Sequence, residues 1–534
     1  MMTTLLLTAA LAATLEADLR SIAALPGEPN RVAAAGVTRD EAAILTIEND
    51  AAFDPASTRR RLVLIGAPDG DPRAADAVVA AVRWFKTRAP ASVRREWTVS
   101  ALPSAQFDAS DTQSLPRWIT FQAPDLVVTV GAEWDALKGV PYKSAGIPDD
   151  KPVGAGDGLQ TVPKVVNGVS YGSIDVKDVT IPAPLEGILS QPVARSALRQ
   201  EIVARVQREP LAIATLLARK YPETPLISYI PAISWTQTWR LAPIVKDDSL
   251  REKVRQQIQP WMSGEKKLFG DRIQLTAVAG AMIFAELAAA GDATARRLAD
   301  EFVPLAAARK PTGIAEHGQG WTDDMFMAAS VLARASLRPN HRAALDAAAQ
   351  LLIDYAARLQ QPSGLFNHAS DGPAAWGRGN GFAAFGLMET LTVMPASHPS
   401  RARLLEILRR QMQAVKAQQS PDGAWRQIVD EPGAYREETA TAMLTTVIAR
   451  GIRLGWLDRS FLPVAQRGWR ALAVHVAADG TVIDVCTGTG AGPTKRYYFD
   501  RQAIVGADDR GGAMAMLAAM EIDELMKTGR SARQ

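Results

Sequence analysis

The sequence predicts a two-domain protein, with an N-terminal α/β domain followed by an all-α domain whose helices form an (α/α) toroid. Three observations predict this fold class. The chain has 534 residues, 47% apolar and 22% charged, which is enough for sizeable cores in at least two domains. Its first part alternates strand and helix patterns. From about residue 245 it contains only helical patterns, separated by a loop that recurs at nearly constant spacing.

The chain begins with an apolar run, MMTTLLLTAALAA, of the length typical of a secretory signal peptide within residues 1–20. No Lys or Arg precedes the run, so the alternative is an amphipathic first helix that continues through Leu15 and Leu19. A signal peptide predicts a periplasmic or secreted protein, and its absence a cytoplasmic one. No later segment has the 18 uncharged apolar residues of a transmembrane helix, so we expect no membrane span.

The α/β domain is expected over residues 25–242. Arg61–Gly66 and Pro124–Gly131 have the short apolar pattern of buried strands, and Arg73–Thr87 has a helical period. Residues 149–181 are rich in Gly, Pro, Val and Asp, which is typical of loops and edge strands. Two helices are predicted after this region, Pro192–Arg208 and Leu211–Lys220.

The all-α domain is expected over residues 245–530. Its main helices are predicted at Asp271–Ala290, Trp321–Ser336, Arg342–Leu359, Gly381–Met394, Arg401–Gln419 and Glu437–Leu454. The recurrent loop contains Gly313, Gly364, Gly423 and Gly480, at spacings of 51, 59 and 57 residues. Helical hairpins repeated at such a period close most naturally into a toroid, although an irregular helical array also gives helix pairs.

Charge and composition exclude several classes of function. Lys and Arg total 60 against 57 Asp and Glu, so the net charge of +3 predicts no nucleic-acid partner. The single Cys486 excludes an internal disulfide and a cysteine-rich zinc site. All five histidines lie at or after His317, so the N-terminal half has no histidine for catalysis or metal binding. No pattern in the sequence predicts an oligomeric state.

The recurrent loops are rich in reactive and sugar-stacking groups. If the hairpins form a ring, these loops open on one face and their side chains converge on one cleft. Carboxylates can act as acid and base, aromatic rings can stack on sugars, and arginines can bind anions. This mixture predicts an acidic carbohydrate as substrate. We expect no cofactor and no metal. The groups are His317, Trp321, Asp323, Asp324, His368, Trp376, Arg378, Trp425, Arg426, Cys486, Lys495, Arg496 and Tyr497.

Several motifs follow one another in this half of the chain. They are WTDDMFM from Trp321, LFNHASDGPAAWGRGNGF from Leu365, SPDGAWRQ from Ser420, EETATAM from Glu437, GIRLGWLD from Gly451 and DGTVIDVCTG from Asp479. In this order they resemble the unsaturated rhamnogalacturonyl hydrolases of glycoside hydrolase family 105, related to the unsaturated glucuronyl hydrolases of family 88. The resemblance runs from roughly Arg251 to the C-terminus.

The resemblance implies an (α/α)6 barrel that removes a Δ4,5-unsaturated uronic acid from lyase-generated oligosaccharides, as in pectin degradation. An Asp of this family protonates C4 of the enol ether and activates water for attack at C5, and Asp323 matches it. The family's second Asp lies about fifty residues upstream, where Asp271, 52 residues before Asp323, is the candidate. His368, Trp376 and Arg378 match substrate-binding positions.

His317 and Trp321 are further candidate substrate contacts, and Phe382 stands where the family has a second tryptophan. Each candidate also has a structural explanation: Trp376 and Phe382 suit a hydrophobic core, and Asp323 suits a helix cap. Two other functions fit a toroid of this kind. One is a non-catalytic carbohydrate-binding protein, and the other is an enzyme of different sugar chemistry, such as an epimerase.

The N-terminal half resembles a zinc carboxypeptidase through GVTRDEAAILTIEND, RRRLVLIGAPDGDP and APDLVVTVGA. The positions matching the three zinc ligands are Asp69, Pro72 and Gly131, so the ligand set is lost. The resemblance implies a pseudopeptidase retained for binding or docking. An unrelated α/β domain is the alternative.

Overall fold

The computed structural model describes residues 2–66, 71–107, 113–131, 170–174 and 182–531. These form two compact units. The first comprises residues up to Gln207 with Ser420–Asp422 and Glu431–Tyr435. The second comprises Arg208–Gln419, Gly423–Asp430 and the chain from Arg436 onward.

The first unit is an α/β domain built on a mixed six-stranded sheet, which confirms the predicted class. The strands are β1 (Asn30–Val37), β2 (Ala43–Asn49), β3 (Arg60–Gly66), β4 (Trp97–Leu102), β5 (Leu126–Val130) and β6 (Ser170–Ile174). They lie in the order β1-β2-β4-β3-β5-β6. β4, β3, β5 and β6 run parallel, while β2 pairs antiparallel with both β1 and β4.

Both faces of this sheet carry apolar side chains, because its central strands are buried on both sides. In β3, Leu62 and Leu64 belong to one core, and Val63 and Ile65 to the other. The helices of the unit are α1 (Met2–Ala23), α2 (Pro72–Thr87), α3 (Ala91–Glu96), α4 (Ser114–Gln122), α5 (Pro182–Leu189) and α6 (Ala197–Val206).

The N-terminal apolar run lies within α1, whose Leu19 and Ile22 are fully buried in the first of these cores. Among the helices that the structure describes, none is both long enough and apolar enough to cross a membrane. Of the three positions that match zinc ligands, Asp69 lies outside the described residues. Pro72 is the first residue of α2, and Gly131 follows β5 with a φ of 83°.

The second unit is helical, as predicted. Its helices are α7 (Pro210–Lys220), α8 (Tyr229–Val245), α9 (Ser249–Met262), α10 (Leu275–Val278), α11 (Ala281–Ala289), α12 (Ala293–Ala307), α13 (Thr322–Ser336), α14 (Ala344–Leu359), α15 (Gly377–Val393), α16 (Arg401–Ala417), α17 (Glu438–Arg453), α18 (Leu462–Val474), α19 (Lys495–Phe499) and α20 (Asp509–Ser531). A two-stranded antiparallel pair, β7 (Val482–Cys486) with β8 (Ala503–Gly506), accompanies them.

Within residues 208–531, six helices pack against one another in a closed cyclic order, α8-α11-α13-α15-α17-α20 and back to α8. Their apolar side chains form the centre of the unit: Phe326 of α13, Phe382 of α15 and Met443 of α17 are at most 2% exposed. The loops that precede α13, α15 and α17 therefore lie together at one end of the unit, next to the first turns of those helices.

The recurrent loop has one repeated backbone conformation. Gly313, Gly364, Gly423 and Gly480 all have positive φ, between 80° and 102°, a region that glycine occupies without steric cost. In three of the loops the same pair of hydrogen bonds closes the turn, for example Gln361 N–H to Leu365 O at 2.8 Å and Gly364 N–H to Gln361 O at 2.9 Å. The glycine spacing therefore marked a true structural repeat.

Two boundaries differ from the sequence-based expectation. The helical unit begins at Arg208 and not near residue 245, because α7 and α8 pack against α20 inside it. The single helix predicted over Asp271–Ala290 is broken into α10 and α11 by Ala279 and Gly280. A Cβ on Gly280 would lie 2.5 Å from Ile227 Cγ2, so this glycine permits close packing at the break.

Candidate active site

Two adjacent carboxylates in the first turn of α13 point to different environments. Asp323 is 16% exposed and its Oδ2 lies 3.2 Å from His368 Nε2. Asp324 is buried, and its Oδ2 accepts hydrogen bonds from Gly320 N–H at 2.7 Å, Gln319 N–H at 3.0 Å and Tyr355 O–H at 2.8 Å. Asp323 is therefore the carboxylate open to a ligand, whereas Asp324 holds the preceding loop.

Burial dominates the titration of Asp324. It raises the pKa of this carboxyl to about 6, with a further contribution from the charge of Asp323, while the hydrogen bonds from Tyr355 and Gly320 lower it. Gly318 must remain a glycine here, because a Cβ would lie 2.4 Å from Asp324 Oδ2.

His368 connects Asp323 to a buried phenol. Its side chain is fully buried, and its Nδ1 lies 3.0 Å from the hydroxyl of Tyr498. That hydroxyl also accepts a hydrogen bond from Gly492 N–H at 3.2 Å. Burial raises the pKa of Tyr498 to about 12, so the phenol stays protonated near neutral pH. Asp323, His368 and Tyr498 thus form a continuous hydrogen-bonded chain.

Aromatic rings fix the orientation of the His368 imidazole. Its centroid lies 4.4 Å from that of Trp376 and 5.4 Å from that of Trp321. The loop that carries His368 is also tied to α13, because Thr322 N–H donates to His368 O at 3.0 Å. The imidazole is therefore positioned both by its ring neighbours and by its backbone.

The glycine-rich segment at the start of α15 supports this loop. Asn380 accepts from Phe366 N–H at 2.8 Å and donates to Phe366 O at 2.9 Å, two residues before His368. Gly379 lies so close to α13 that a Cβ would be 2.6 Å from Thr322 Oγ1. Within the sequence GRGNG, Gly379 thus permits the close approach of α15 to α13, and Asn380 holds the histidine loop.

Trp376 and Arg378 lie beside the histidine, but both are buried. Trp376 is 1% exposed, with Arg378 Cζ 4.7 Å from the centre of its ring. Arg378 donates from Nη1 to Cys486 O at 2.6 Å and from Nη2 to Thr487 O at 2.7 Å. Burial disfavours the charge of Arg378, but electrostatic interactions with groups that include Glu437 and Asp323 outweigh burial and raise its pKa.

Two further carboxyl groups lie behind Arg378, at the start of α17. Glu437 accepts hydrogen bonds from Ala440 N–H at 2.6 Å and Cys486 N–H at 2.8 Å, so its side chain caps the helix. Burial, with the nearby charges of Glu437 and Asp508, raises the pKa of Glu438 well above its ordinary value. Glu438 is therefore a weaker acid than an ordinary glutamate, while interaction with Glu437 favours the charged form of Arg378.

The other candidates occupy different places. Asp271 does not begin a helix: it lies four residues before α10 with an exposed side chain, and the carboxyl beside Asp323 is its neighbour Asp324. Phe382 is fully buried, with its ring 5.9 Å from Phe326, so it packs in the core and presents no surface to a sugar. His317 is half-buried on the loop before α13.

Sequence reasoning missed Tyr498 and Asn380. Tyr497 was the candidate in KRYYF, but its ring packs edge-on against Tyr498, 5.2 Å away, and it is Tyr498 that reaches His368. Gly372 makes room for this hydroxyl, since a Cβ there would lie 2.8 Å from it. No local pattern distinguishes the two tyrosines.

Within the described ranges, no three His, Cys, Asp or Glu side chains are grouped so that they could hold a metal ion. The chemistry that the described cleft offers is that of a carboxyl group coupled to a histidine and a phenol. Such an arrangement can hold and transfer a proton at the carboxyl group of Asp323.

Residues 219–526 match the model of glycosyl hydrolase family 88. Over 175 residues the chain is 29% identical to an unsaturated 3S-rhamnoglycuronyl hydrolase of Alteromonas sp. (strain LOR), covering 30% of this chain and 42% of that protein. Over 179 residues it is 28% identical to the unsaturated rhamnogalacturonyl hydrolase YesR of Bacillus subtilis (strain 168), covering 32% and 50%. These matches span about half the length of the two relatives.

Two solved structures share the helical fold. One is described as a possible member of the GH105 family from Salmonella enterica, with a TM-score of 0.53 and 19% identity, covering 65% of this chain and 99% of that one. The other is a family 105 glycoside hydrolase of C. acetobutylicum, with a TM-score of 0.54 and 19% identity, covering 59% and 100%. At these identities the similarity concerns the fold alone.

Proposed function

Because the chain belongs to glycosyl hydrolase family 88, we propose that it removes a Δ4,5-unsaturated uronic acid from the non-reducing end of lyase-generated oligosaccharides. The observation that carries this proposal is the contact of the partly exposed Asp323 carboxylate with His368 at 3.2 Å. The names of two relatives, hydrolases of unsaturated rhamnoglycuronyl and rhamnogalacturonyl substrates, support the same substrate class.

The proposed reaction is hydration of the enol-ether double bond. Asp323 gives a proton to C4, and a water molecule adds its oxygen to C5 while returning a proton to the same carboxylate. The product is a hemiketal at C5, which opens and releases the rest of the oligosaccharide. One carboxyl group thus serves as acid and then as base, so the reaction does not need the two carboxylates that flank an ordinary glycosidic bond.

The His368–Tyr498 pair has a specific part in this scheme. Because Tyr498 accepts from Gly492 N–H, its own proton is free to point at His368 Nδ1. The imidazole then carries its proton on Nε2 and donates it to Asp323 Oδ2. This hydrogen bond stabilises Asp323 as an anion after it has protonated C4, ready to take a proton from water.

Arg378 contributes charge to this site. A substrate uronate is an anion, and the buried guanidinium makes the electrostatic potential near Asp323 more positive. Its Nη atoms are already engaged by two backbone carbonyl groups, so the structure does not support an open bidentate clamp at this residue. We propose that Trp376 orients the His368 ring. Trp321 and His317, which are both partly exposed, remain the candidates for direct contact with the substrate.

The closed cyclic packing of six helices supports an (α/α)6 toroid for residues 208–531. The mixed sheet of the first unit is compatible with a carboxypeptidase-like domain that lacks zinc ligands, and this interpretation stays a prediction. A periplasmic or secreted location also stays a prediction.

The decisive experiment follows the ultraviolet absorbance of the conjugated double bond in lyase products of pectin and of glycosaminoglycans. Wild-type protein is expected to abolish this absorbance. Asp323→Asn is expected to reduce kcat about 10²- to 10⁴-fold, the usual contribution of a general acid–base group. Asp354→Asn is the matched control, since this carboxylate lies on α14 and bonds an exposed Gln350.

Three outcomes contradict the proposal. Wild-type protein that binds these oligosaccharides without consuming the double bond is a carbohydrate-binding protein. Protein that converts only saturated sugars is an enzyme of other chemistry, such as an epimerase. If Asp323→Asn retains full activity, the reaction depends on a different carboxyl group.

A further inference from the structure

A ring of alternating arginine and glutamate side chains lies at the end of the helical unit remote from Asp323. Asp323 is in the first turn of α13 and Arg334 is in its last turn, which places them about 17 Å apart along the helix at 1.5 Å per residue. In cyclic order the six helices contribute Arg240, Glu286, Arg334, Glu389, Arg450 and Glu521.

From Arg240 through to Glu521, successive members of this ring are paired. Arg334 lies 3.6 Å from Glu286 and 2.5 Å from Glu389, and Arg450 lies 3.2 Å from Glu389 and also pairs with Glu521. The charges of the carboxyl groups in the ring are therefore already neutralised by the arginines of the same ring.

A cavity of about 470 Å³ opens beside the ring. Its charged lining holds five arginines against three carboxylates, and Glu521, which pairs with Arg450 but is not part of the lining, reduces this excess to a net charge of +1. The arginines are Arg240, Arg296, Arg334, Arg338 and Arg450, and the carboxylates are Glu286, Asp300 and Glu389. An excess of positive charge in a concave site favours a bound anion.

One guanidinium group in this lining also keeps a donor without an acceptor. Among the described residues, Arg338 Nε is buried and has no hydrogen-bond partner. Arg334 Nε makes no hydrogen bond either, but it lies 3.6 Å from Glu286 Oε1 within an ion pair of the ring. A buried N–H left without a partner costs free energy, so an oxygen ligand that reached Arg338 Nε would relieve this cost.

We propose that this cavity binds a small tetrahedral oxyanion of the phosphate or sulfate class. The planar guanidinium group suits such a ligand because its parallel N–H donors match the oxygens of a tetrahedral oxyanion. Asp300, which pairs with both Arg338 and His341, lies at the rim and holds these two side chains toward the cavity. The site is independent of the proposed hydrolase activity.

The test is isothermal titration of the full chain with inorganic phosphate at constant ionic strength. Wild-type protein is expected to bind one phosphate saturably. Arg338→Gln is expected to weaken binding about 10- to 100-fold, the usual effect of losing hydrogen bonds between charged groups. Arg342→Gln is the matched control: it removes the same charge from an exposed residue outside the cavity, and its affinity should equal that of the wild type.

Two further measurements keep the proposal falsifiable. Arg338→Lys preserves the charge and tests the planar donor geometry, and it should bind more weakly than wild type even where Arg338→Gln fails to fold. Sulfate should compete with phosphate at the same site. The proposal is overturned if wild type shows no saturable binding at millimolar phosphate, or if the Arg338 variants bind as tightly as the Arg342 control.

Discussion

The pH dependence of stability offers a sharp test of the interpretation of Asp324. Its pKa is about 6 in the folded protein, against an ordinary value of 3.8. Below about pH 4 the carboxyl is protonated in both the folded and the unfolded chain. Between about pH 4 and 6 the folded protein keeps a proton that the unfolded chain has released. The free energy of unfolding must therefore fall as the pH rises through this window.

The magnitude follows from the difference between the two pKa values. A shift of about two pKa units corresponds to about 3 kcal/mol. For a helical unit of roughly 300 residues, an entropy of unfolding near 2.1 cal/mol/K per residue converts this to about 4–5 °C in Tm. Asp324→Asn removes the titration while keeping a carbonyl oxygen that can accept from Gln319, Gly320 and Tyr355.

The assay is the thermal unfolding of wild type and Asp324→Asn from pH 4 to pH 7. The Tm of wild type minus that of the variant should fall by about 4–5 °C as the pH rises to about 6, and then stay constant. Contributions from other titrating groups cancel in this difference. Asp354→Asn, which changes a partly exposed carboxylate that accepts from Gln350, should run parallel to wild type. If the Tm of Asp324→Asn instead ran parallel to that of wild type over this pH range, the proposed burial of a neutral carboxyl group at Asp324 would be refuted.

Two more predictions concern aromatic residues. Tyr498→Phe removes the hydrogen bonds to His368 and Gly492, and we expect kcat to fall about 10-fold with little change in KM, whereas Tyr497→Phe should leave both constants unchanged. If Tyr498→Phe lowered Tm but left kcat unchanged, a role of Tyr498 in positioning His368 would be contradicted. Phe382→Ala should destabilise the helical unit by about 3–5 kcal/mol in denaturant unfolding, because the ring is fully buried. A raised KM at unchanged stability would show instead that Phe382 contacts substrate.

Local signals account for the parts of the fold that were predicted correctly. The loop glycines were found from their spacing, and each has the positive φ that an L side chain disfavours. Helices such as Thr322–Ser336 and Arg401–Ala417 were found from their apolar period. The predicted helix from Asp271 failed because the period continues through Gly280, where close packing against Ile227 breaks the helix.

Only those residues of the candidate site that stand in recognisable motifs could be predicted from the sequence. Asp323 and His368 stand in recognisable motifs, whereas Tyr498 belongs to a five-residue helix with no pattern that singles it out. The burial of the candidate residues could not be predicted from the sequence either. Trp376 and Arg378 have the residue types of a sugar-binding cleft, yet each is at most 2% exposed because neighbouring segments enclose them.

By itself, the sequence determined the two-part organisation, the helical repeat and the order of motifs, because these depend on the local conformational preferences of the chain and on periodic apolar positions. Only the tertiary structure decided which charges meet. Along the chain these residues look like isolated charges in separate helices: Arg240, Glu286, Arg334, Glu389, Arg450 and Glu521. They become a ring because six helices close on one another, which brings side chains from distant parts of the sequence to the same level.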